Sequence, residues 1–195
     1  MVQFEVVNNE LRIKKNLTKL DLFVIDSLRI LSKYVDYVII SGYVSIFFGR
    51  ARATEDVDIF INDISQIDFK RFYNESMEDG YEFNVDNPDD LYNEYLYDNI
   101  SINMWKKNLP LIRLEIKLAN KSSQKSVIKN KIKIFYNSDY LYFSPIEYQI
   151  AYKKLILKSD KDLEDARHLE IVFKNLNKKT IEEYGNLALM EFENE

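Results

Sequence analysis

Cysteine is absent from this sequence of 195 residues, which excludes disulfide bonds, thiolate zinc sites and cysteine nucleophiles. The sequence also has only three prolines and four glycines, so no stretch resembles a long disordered linker. No segment approaches the roughly 18 consecutive apolar residues of a membrane helix, and no basic stretch followed by an apolar one opens the sequence. We therefore expect a soluble, cytoplasmic protein without a membrane partner.

Hydrophobic residues make up 46% of the sequence and aromatic residues 14%, which is enough for a sizeable core. The net charge of −5 argues against a protein that simply coats nucleic acid. The charges are segregated, because residues 75–98 contain nine acidic and no basic residues, whereas residues 117–133 contain six lysines and no acidic residue. Solvated surfaces would explain both runs, and the alternative is a basic surface at 117–133 that receives phosphates.

Hydrophobic periodicity divides the chain into a mixed part and a helical part. Strands are predicted at 4–13, 36–40, 56–62, 81–85, 99–105, 111–118 and 131–136, and helices at 17–34, 43–48, 64–78 and 122–130. Beyond these, helical patterns occupy 145–158, 160–174 and 178–193, and Ser144 with Glu147 predicts a capping box where they begin. We therefore predict an α/β (α+β) domain over residues 1–143, with a mixed sheet flanked by helices, and a C-terminal helical segment over residues 144–195.

Asp56 and Asp58 stand out because they lie in a hydrophobic segment that alternates with period 2 and is predicted to be a strand. On a strand, residues i and i+2 point to the same face, so the two carboxylates lie side by side while Val57 and Ile59 pack inward. Such carboxylates repel each other unless a cation lies between them, and carboxylate oxygens are preferred ligands of Mg²⁺. The pair can therefore hold Mg²⁺ ions that also bind a triphosphate, the alternative being two exposed strand residues without a metal.

Gly42 precedes Asp56 by fourteen residues, at the point where a buried strand gives way to a short helix. Backbone N–H groups at a helix N-terminus bind phosphate, and the missing Cβ of glycine lets a phosphate approach closely. Ser45, on the same short helix, is a further candidate phosphate contact. Arg52 either neutralises phosphate charge or pairs with a carboxylate of the chain.

Between residues 41 and 58, small residues, an arginine and the two aspartates follow one another in a characteristic order. The residues of this motif are Ser41, Gly42, Gly49, Arg52, Thr54, Asp56 and Asp58. The motif resembles that of the DNA polymerase β-like nucleotidyltransferase superfamily, and within it the small prokaryotic branch that includes AbiEii-type abortive-infection toxins. The family often has Gly-Gly where this chain has Ser41-Gly42. The resemblance implies a nucleotidyltransferase fold, and nucleotide binding by Ser41, Gly42 and Arg52.

The family has a third carboxylate on a later strand, and Glu115, between Leu114 and Ile116 in the segment 111–118, is the candidate here. Relatives usually carry aspartate at this position. The resemblance implies that Glu115 completes the catalytic metal site with Asp56 and Asp58, where this carboxylate often acts as the base for the incoming hydroxyl. The alternative is a residue on the surface of the strand.

The helical tail also contains a familiar segment, 154-KLILKSDKDLEDARHL-169, which resembles the Lys…Lys-Asp-Leu-x-Asp segment of the same branch. Lys154 and Lys158 are four residues apart and therefore share a helix face. The resemblance implies that this helix faces the catalytic cleft and that these lysines contact the triphosphate or the substrate. The alternative is a solvated helix with salt bridges, and the single histidine, His168, is interpreted as a surface or packing residue.

Together these residues predict Mg²⁺- or Mn²⁺-dependent transfer of a nucleoside monophosphate from an NTP such as ATP to a hydroxyl acceptor, with release of pyrophosphate. The acceptor is left open among an RNA 3′ end such as that of tRNA, a protein side chain and a small molecule. A toxin role would imply a cognate antitoxin as partner. Two alternatives are a catalytically silent nucleotide-binding or interaction protein of the same fold, and a structural module in which the aspartates are incidental.

Overall fold

The structure, a computed structural model, describes residues 3–7, 10–137 and 139–193. Within these residues nine strands form a single mixed sheet. The strands are β1 (Gln3–Val7), β2 (Glu10–Lys14), β3 (Tyr37–Ile39), β4 (Asp56–Ile61), β5 (Tyr81–Phe83), β6 (Ile102–Lys106), β7 (Leu109–Leu118), β8 (Ile132–Tyr136) and β9 (Asp139–Phe143). The predicted strand at 4–13 is therefore two strands, and β9 was not predicted.

The strands follow one another across the sheet in the order β1-β2-β8-β9-β3-β4-β7-β6-β5. β4 lies near the middle, antiparallel to β3 and parallel to β7. Strand pairs that are consecutive in the chain are antiparallel, as in β1–β2, β5–β6, β6–β7 and β8–β9. The sheet is thus mixed, as the sequence predicted, and its central strands are the ones that carry the candidate carboxylates.

Eight α-helices surround the sheet in the described residues. They are α1 (Lys19–Leu31), α2 (Ser41–Phe47), α3 (Gln66–Glu78), α4 (Pro88–Asp90), α5 (Ser122–Lys129), α6 (Ile146–Tyr152), α7 (Asp160–Val172) and α8 (Lys178–Phe192). Two π-helical turns, Leu91–Leu96 and Lys153–Leu157, continue α4 and α6. None of the described helices is both long and apolar enough to span a membrane.

Each face of the sheet packs against its own hydrophobic cluster. On one face, Val57 and Ile59 of β4 join a large core with residues of α1, α2 and α3. On the other face, Phe60 of β4 packs in a smaller cluster with Val127 of α5 and Tyr148 of α6. Since Asp56 and Asp58 share the face of Phe60, they lie at the end of the sheet that this smaller cluster leaves uncovered.

The helical part of the chain begins differently from the expected capping box. Pro145 is the N-cap residue of α6, and no side chain caps the helix. Ser144 is fully buried, and its hydroxyl instead accepts a hydrogen bond from Gln149 Nε2 at 2.8 Å. The helix start was thus predicted correctly to within a residue, but the role given to Ser144 and Glu147 was wrong, because the buried hydroxyl of Ser144 pairs with the side chain of Gln149 and does not cap the helix.

Candidate active site

β4 presents Asp56 and Asp58 on one face, opposite the fully buried Val57 and Ile59. The side chain of Asp58 is 19% exposed, whereas that of Asp56, at the start of the strand, is 51% exposed. Thr54 shapes the approach to the strand, because its Oγ1 donates to the backbone oxygen of Asp56 at 2.9 Å. The alternation predicted for this segment is therefore present, with one carboxylate recessed and one accessible.

Glu115 lies directly beside Asp58, because the parallel pairing of β4 with β7 sets these two residues opposite each other. The side chain of Glu115 is 25% exposed, and its Oε1 accepts a hydrogen bond from Ser101 Oγ at 2.6 Å. The strand register thus brings the three carboxylates of Asp56, Asp58 and Glu115 to one surface of the sheet.

Lys117 follows Glu115 by two residues on the same face of β7, and its ammonium group bridges two of these carboxylates. Lys117 Nζ lies 2.8 Å from Asp58 Oδ1 and 3.4 Å from Glu115 Oε2. In the sequence this lysine was read only as the first of the lysine run at 117–133. The signal that could have identified it is its i+2 spacing from Glu115, which on a strand places both side chains on the same face.

The two members of the Asp58–Lys117 pair stabilise each other's charged form. Burial raises the pKa of Asp58, but the charge and hydrogen bond of Lys117, together with the side chain of Ser41, outweigh it and hold this pKa below its usual value. Burial likewise lowers the pKa of Lys117, but the charges of Asp58 and Glu115 outweigh it and raise this pKa above its usual value. At neutral pH the site therefore combines an ionised aspartate with an ammonium group.

The donor set suits a hard divalent cation, because it consists of carboxylates and already holds one positive charge, the Lys117 ammonium, between Asp58 and Glu115. As they stand, no three Asp, Glu or His side chains of residues 3–7, 10–137 and 139–193 are grouped closely enough to hold a metal ion. Asp56 Oδ1 instead lies 3.7 Å from Arg113 Nε at the exposed end of β4. The chemistry fits Mg²⁺, provided that Asp56 rotates inward and Lys117 withdraws.

The turn into α2 lies next to Asp58 and has a backbone conformation that glycine favours. Ser41 has φ 62°, in the left-handed region, and its side chain helps to hold the pKa of Asp58 below its usual value. At Gly42, a Cβ atom would lie 1.8 Å from a terminal nitrogen of Arg52. The missing Cβ of Gly42 therefore leaves the space in which the guanidinium group of Arg52 packs.

Arg52 is held from its other side by α7. Its Nε lies 3.3 Å from Oδ1 of Asp165, a carboxylate with no solvent exposure. Asp165 is also paired with Arg50, and its Oδ2 accepts a hydrogen bond from Lys153 Nζ at 2.9 Å. Lys153 is 1% exposed and reaches Asp162 Oδ1 at 3.1 Å as well. A buried network of ions thus joins the loop that precedes β4 to the C-terminal helices.

The other candidate nucleotide contacts lie farther from an open surface or are already paired. Ser45 is fully buried, and its hydroxyl has no hydrogen-bond partner. Lys154 is 39% exposed and bonds Glu170 Oε1 at 2.6 Å. Lys158 is exposed and has a left-handed backbone with φ 56°. His168 Nε2 lies 3.2 Å from the backbone oxygen of Phe48, as a packing residue would.

Comparison with known proteins finds solved structures whose folds are similar to that of this chain. No protein-family model and no curated protein matches the chain. The solved structure of the lincosamide antibiotic adenylyltransferase LnuA, bound to lincomycin, matches with a TM-score of 0.51 and 16% identity over 82% of this chain and 100% of that one. An antigenic nucleotidyltransferase-like protein from Paracoccidioides brasiliensis matches with a TM-score of 0.51 and 12% identity over 88% of this chain and 87% of that one. The chain therefore has the nucleotidyltransferase fold.

Proposed function

We propose that this chain is a metal-dependent nucleotidyltransferase, which transfers a nucleoside monophosphate from an NTP to a hydroxyl acceptor and releases pyrophosphate. The observation that carries the proposal is the position of Asp56 and Asp58 on β4, with Glu115 beside Asp58 on β7, in a chain with the nucleotidyltransferase fold. The fold is shared with an antibiotic adenylyltransferase, a protein that performs this type of transfer.

Asp56, Asp58 and Glu115 are proposed to hold Mg²⁺ or Mn²⁺. When bound, such a metal polarises the α-phosphate and stabilises the attacking and leaving oxygens. Asp56 is exposed enough to rotate toward the ion, and Lys117, released from Asp58, remains within reach to offset phosphate charge. Glu115 accepts the proton of the acceptor hydroxyl. The oxygen of that hydroxyl bonds to the α-phosphorus, and the bond between the α-phosphorus and the pyrophosphate oxygen breaks.

Arg52 is proposed to neutralise the leaving pyrophosphate from its position against Gly42. Ser41 and Gly42 form the turn beside Asp58 that the triphosphate would follow. Lys154 and Lys158 are candidates for a second layer of phosphate contacts, and Ser45 requires a movement of α2 to take part because it is fully buried. The helical segment from residue 144 is proposed to pack on the catalytic cleft.

The acceptor is proposed to be an RNA 3′ end, such as that of tRNA, or a protein. A toxin of the AbiEii type, with a cognate antitoxin as partner, is the biological role proposed on the resemblance of residues 41–58 alone. A second function deserves a test because Lys117 occupies the position of a cation between Asp58 and Glu115. In that case the chain would bind a nucleotide without turning it over.

The test is a transfer assay with NTPs that carry ³²P on either the α- or the γ-phosphate. The protein is incubated with each NTP, Mg²⁺ or Mn²⁺, and separate fractions of cellular RNA, protein and small molecules, beside an Asp56→Ala/Asp58→Ala control. Label from the α-phosphate, but not from the γ-phosphate, on a discrete acceptor would support nucleotidyl transfer and identify the acceptor class. Transfer of the γ-label would contradict the proposal, and NTP binding without transfer would favour the silent nucleotide-binding protein.

A further inference from the structure

A cavity of about 250 Å³ begins at the candidate active site and extends along the sheet beneath α5 and α6. At the site, three polar residues line it, namely Ser41, Asp58 and Lys117. Asp56 and Arg113, at the exposed end of β4, are not among its lining residues. The cavity therefore leads inward from the carboxylates and not toward the open surface.

The inner part of the cavity is apolar and lined by buried side chains. Ile40 and Phe60 of the sheet line it, each 7% exposed, together with Tyr148, which is 3% exposed. These three residues belong to the cluster that packs α5 and α6 onto the sheet. Since these core residues form its wall, this part of the cavity can bury the apolar face of a ligand.

The walls offer a flat aromatic surface and two oriented amide groups. The rings of Tyr148 and Tyr152 stack on each other at 5.5 Å between centroids and 24° between planes. Gln124 Oε1 accepts from the backbone N–H groups of Asn120 and Lys121 at 2.9 and 3.1 Å, so its opposite end is an N–H donor. Gln149 Nε2 donates to Ser144, so its opposite end is a carbonyl acceptor.

The size of the cavity restricts the ligand further. Pockets for drug-sized ligands measure about 300–1,000 Å³, and this cavity, at about 250 Å³, falls just below that range. It therefore has room for one planar ring system attached to a phosphate at its polar mouth. Aromatic faces stack on any nucleobase, and amides can hydrogen-bond to ring nitrogens and exocyclic groups.

We propose that this cavity binds the base of the NTP, stacked on Tyr152 with Gln124 and Gln149 at its edge. The inference rests on the proposed function, which it deepens by assigning the nucleoside to the side of Asp58 that this cavity occupies. It follows that the acceptor approaches from the opposite, open side, where Asp56 and Arg113 are 51% and 43% exposed.

The test measures binding by calorimetry with Mg²⁺, using non-hydrolysable analogues of the four NTPs and inorganic tripolyphosphate, which has no base. Three variants are compared with the unmodified chain. Tyr152→Leu removes the stacking surface, Tyr152→Phe keeps it, and Tyr184→Leu is the matched control. Tyr184 packs edge-on against Tyr148, with 5.6 Å between centroids and 82° between planes, but does not line the cavity.

We expect Tyr152→Leu to weaken binding of the preferred NTP analogue about tenfold or more and to leave tripolyphosphate binding unchanged. Tyr152→Phe and Tyr184→Leu should both bind the analogue as the unmodified chain does. Unchanged NTP binding in Tyr152→Leu, or an equal loss of tripolyphosphate binding, would overturn the inference while leaving nucleotidyl transfer intact. If the unmodified chain bound neither ligand, the proposed function itself would fail, and the inference with it.

Discussion

At the scale of the residue, Asp58 is the most recessed of the candidate carboxylates, with a side chain that is 19% exposed against 25% for Glu115 and 51% for Asp56. Its position explains how an aspartate is tolerated at 19% side-chain exposure, since the ammonium group of Lys117 compensates its charge. The same arrangement means that a metal must compete with Lys117 for Asp58. The Asp58–Lys117 pair thus stabilises the folded chain but opposes metal binding, which is a conflict between stability and function.

Replacement of Asp58 by asparagine tests that role. We expect Asp58→Asn to lower nucleotidyl transfer at least about 100-fold, because an amide is a poor ligand of Mg²⁺ and metal stabilisation is worth several kcal/mol. Stability should change little, since Lys117 is 37% exposed and can be solvated. Turnover in the transfer assay and the melting temperature measure the two effects, with the exposed Asp63→Asn, just beyond β4, as control. Full turnover in Asp58→Asn would refute the metal-site assignment.

Gly42 can be tested in a similar way. A Cβ at this position would meet the guanidinium group of Arg52, which is flexible and can move away. Gly42→Ala should therefore cost no more than about 1–2 kcal/mol of stability but weaken NTP binding about tenfold. If displacement of Arg52 is the cause, Gly42→Ala should have little further effect on binding in an Arg52→Ala background. Additive effects of the two substitutions would contradict this explanation.

At the scale of the element, the start of α1 illustrates how a helix can be fixed by one buried carboxylate. Asp21 is 1% exposed and accepts hydrogen bonds from the backbone N–H and the hydroxyl of Thr18, at 2.7 and 2.8 Å. It also accepts from Lys15 Nζ at 2.9 Å and from Tyr43 Oη of α2 at 2.7 Å. This capping box therefore joins α1 to the helix that begins at Ser41.

We predict that Asp21→Asn lowers the free energy of unfolding by about 3–5 kcal/mol, because Lys15 would be left buried without a compensating charge. Urea denaturation measures the loss. Asp26→Asn, on the same helix but with a side chain that is 46% exposed, is the control and should cost less than about 1 kcal/mol. Equal effects of the two substitutions would contradict the account.

The contribution of Asp21 should also depend on pH. Burial raises the pKa of Asp21, but hydrogen bonds from Thr18, Tyr43 and Lys15 outweigh it and leave this pKa below its ordinary value of 3.8. The stabilisation is thus complete above pH 3.8 and is lost as the pH falls through the lower pKa of the folded state. The difference in unfolding free energy between the unmodified chain and Asp21→Asn should therefore shrink in acid. A difference that grew below about pH 4 would contradict the predicted direction of this pH dependence.

At the scale of the whole molecule, the network around Asp165 connects two distant parts of the chain. Asp165 of α7 pairs with Arg50 and Arg52 of the loop before β4 and with Lys153 at the end of α6. These cations share one carboxylate with no solvent exposure, supported by Asp162 on the same helix. The C-terminal helices are therefore tied to the loop that leads into the candidate site.

We predict that Asp165→Asn lowers the free energy of unfolding by about 3–5 kcal/mol, because removal of one partner leaves buried charges uncompensated. Glu164→Gln is the matched control, since Glu164 also pairs with Arg50 but is 61% exposed. It should cost less than about 1 kcal/mol. Urea denaturation compares the two, and a loss for Asp165→Asn no larger than that for Glu164→Gln would show that the network does not hold the parts together.

Much of the fold followed from the sequence, because strands such as β4 alternate cleanly and helices such as α1 and α3 have caps and apolar faces. β9 was missed, since the short segment Asp139–Phe143 has no period that distinguishes it from the loop that precedes α6. The parallel pairing that sets Glu115 beside Asp58 depends on strand order, which local patterns do not encode.

The lysines of the tail show where helical periodicity fails. Lys154 and Lys158 were chosen as a pair that shares a helix face, but the segment Lys153–Leu157 is a π-helical turn. A π turn inserts an extra residue and shifts the faces of the helix. As a result Lys153 is the buried lysine that meets Asp162 and Asp165, while Lys154 pairs with Glu170 at the surface.

The measurement that tests the central claim most directly is a crystal structure of the chain with Mn²⁺ and a non-hydrolysable NTP analogue, with anomalous differences recorded for manganese. We expect a manganese peak bound by Asp56, Asp58 and Glu115, with Lys117 displaced from Asp58 and the triphosphate running beside Ser41 and Gly42. An ordered nucleotide without manganese at these carboxylates, or with Lys117 still bridging Asp58 and Glu115, would contradict the account.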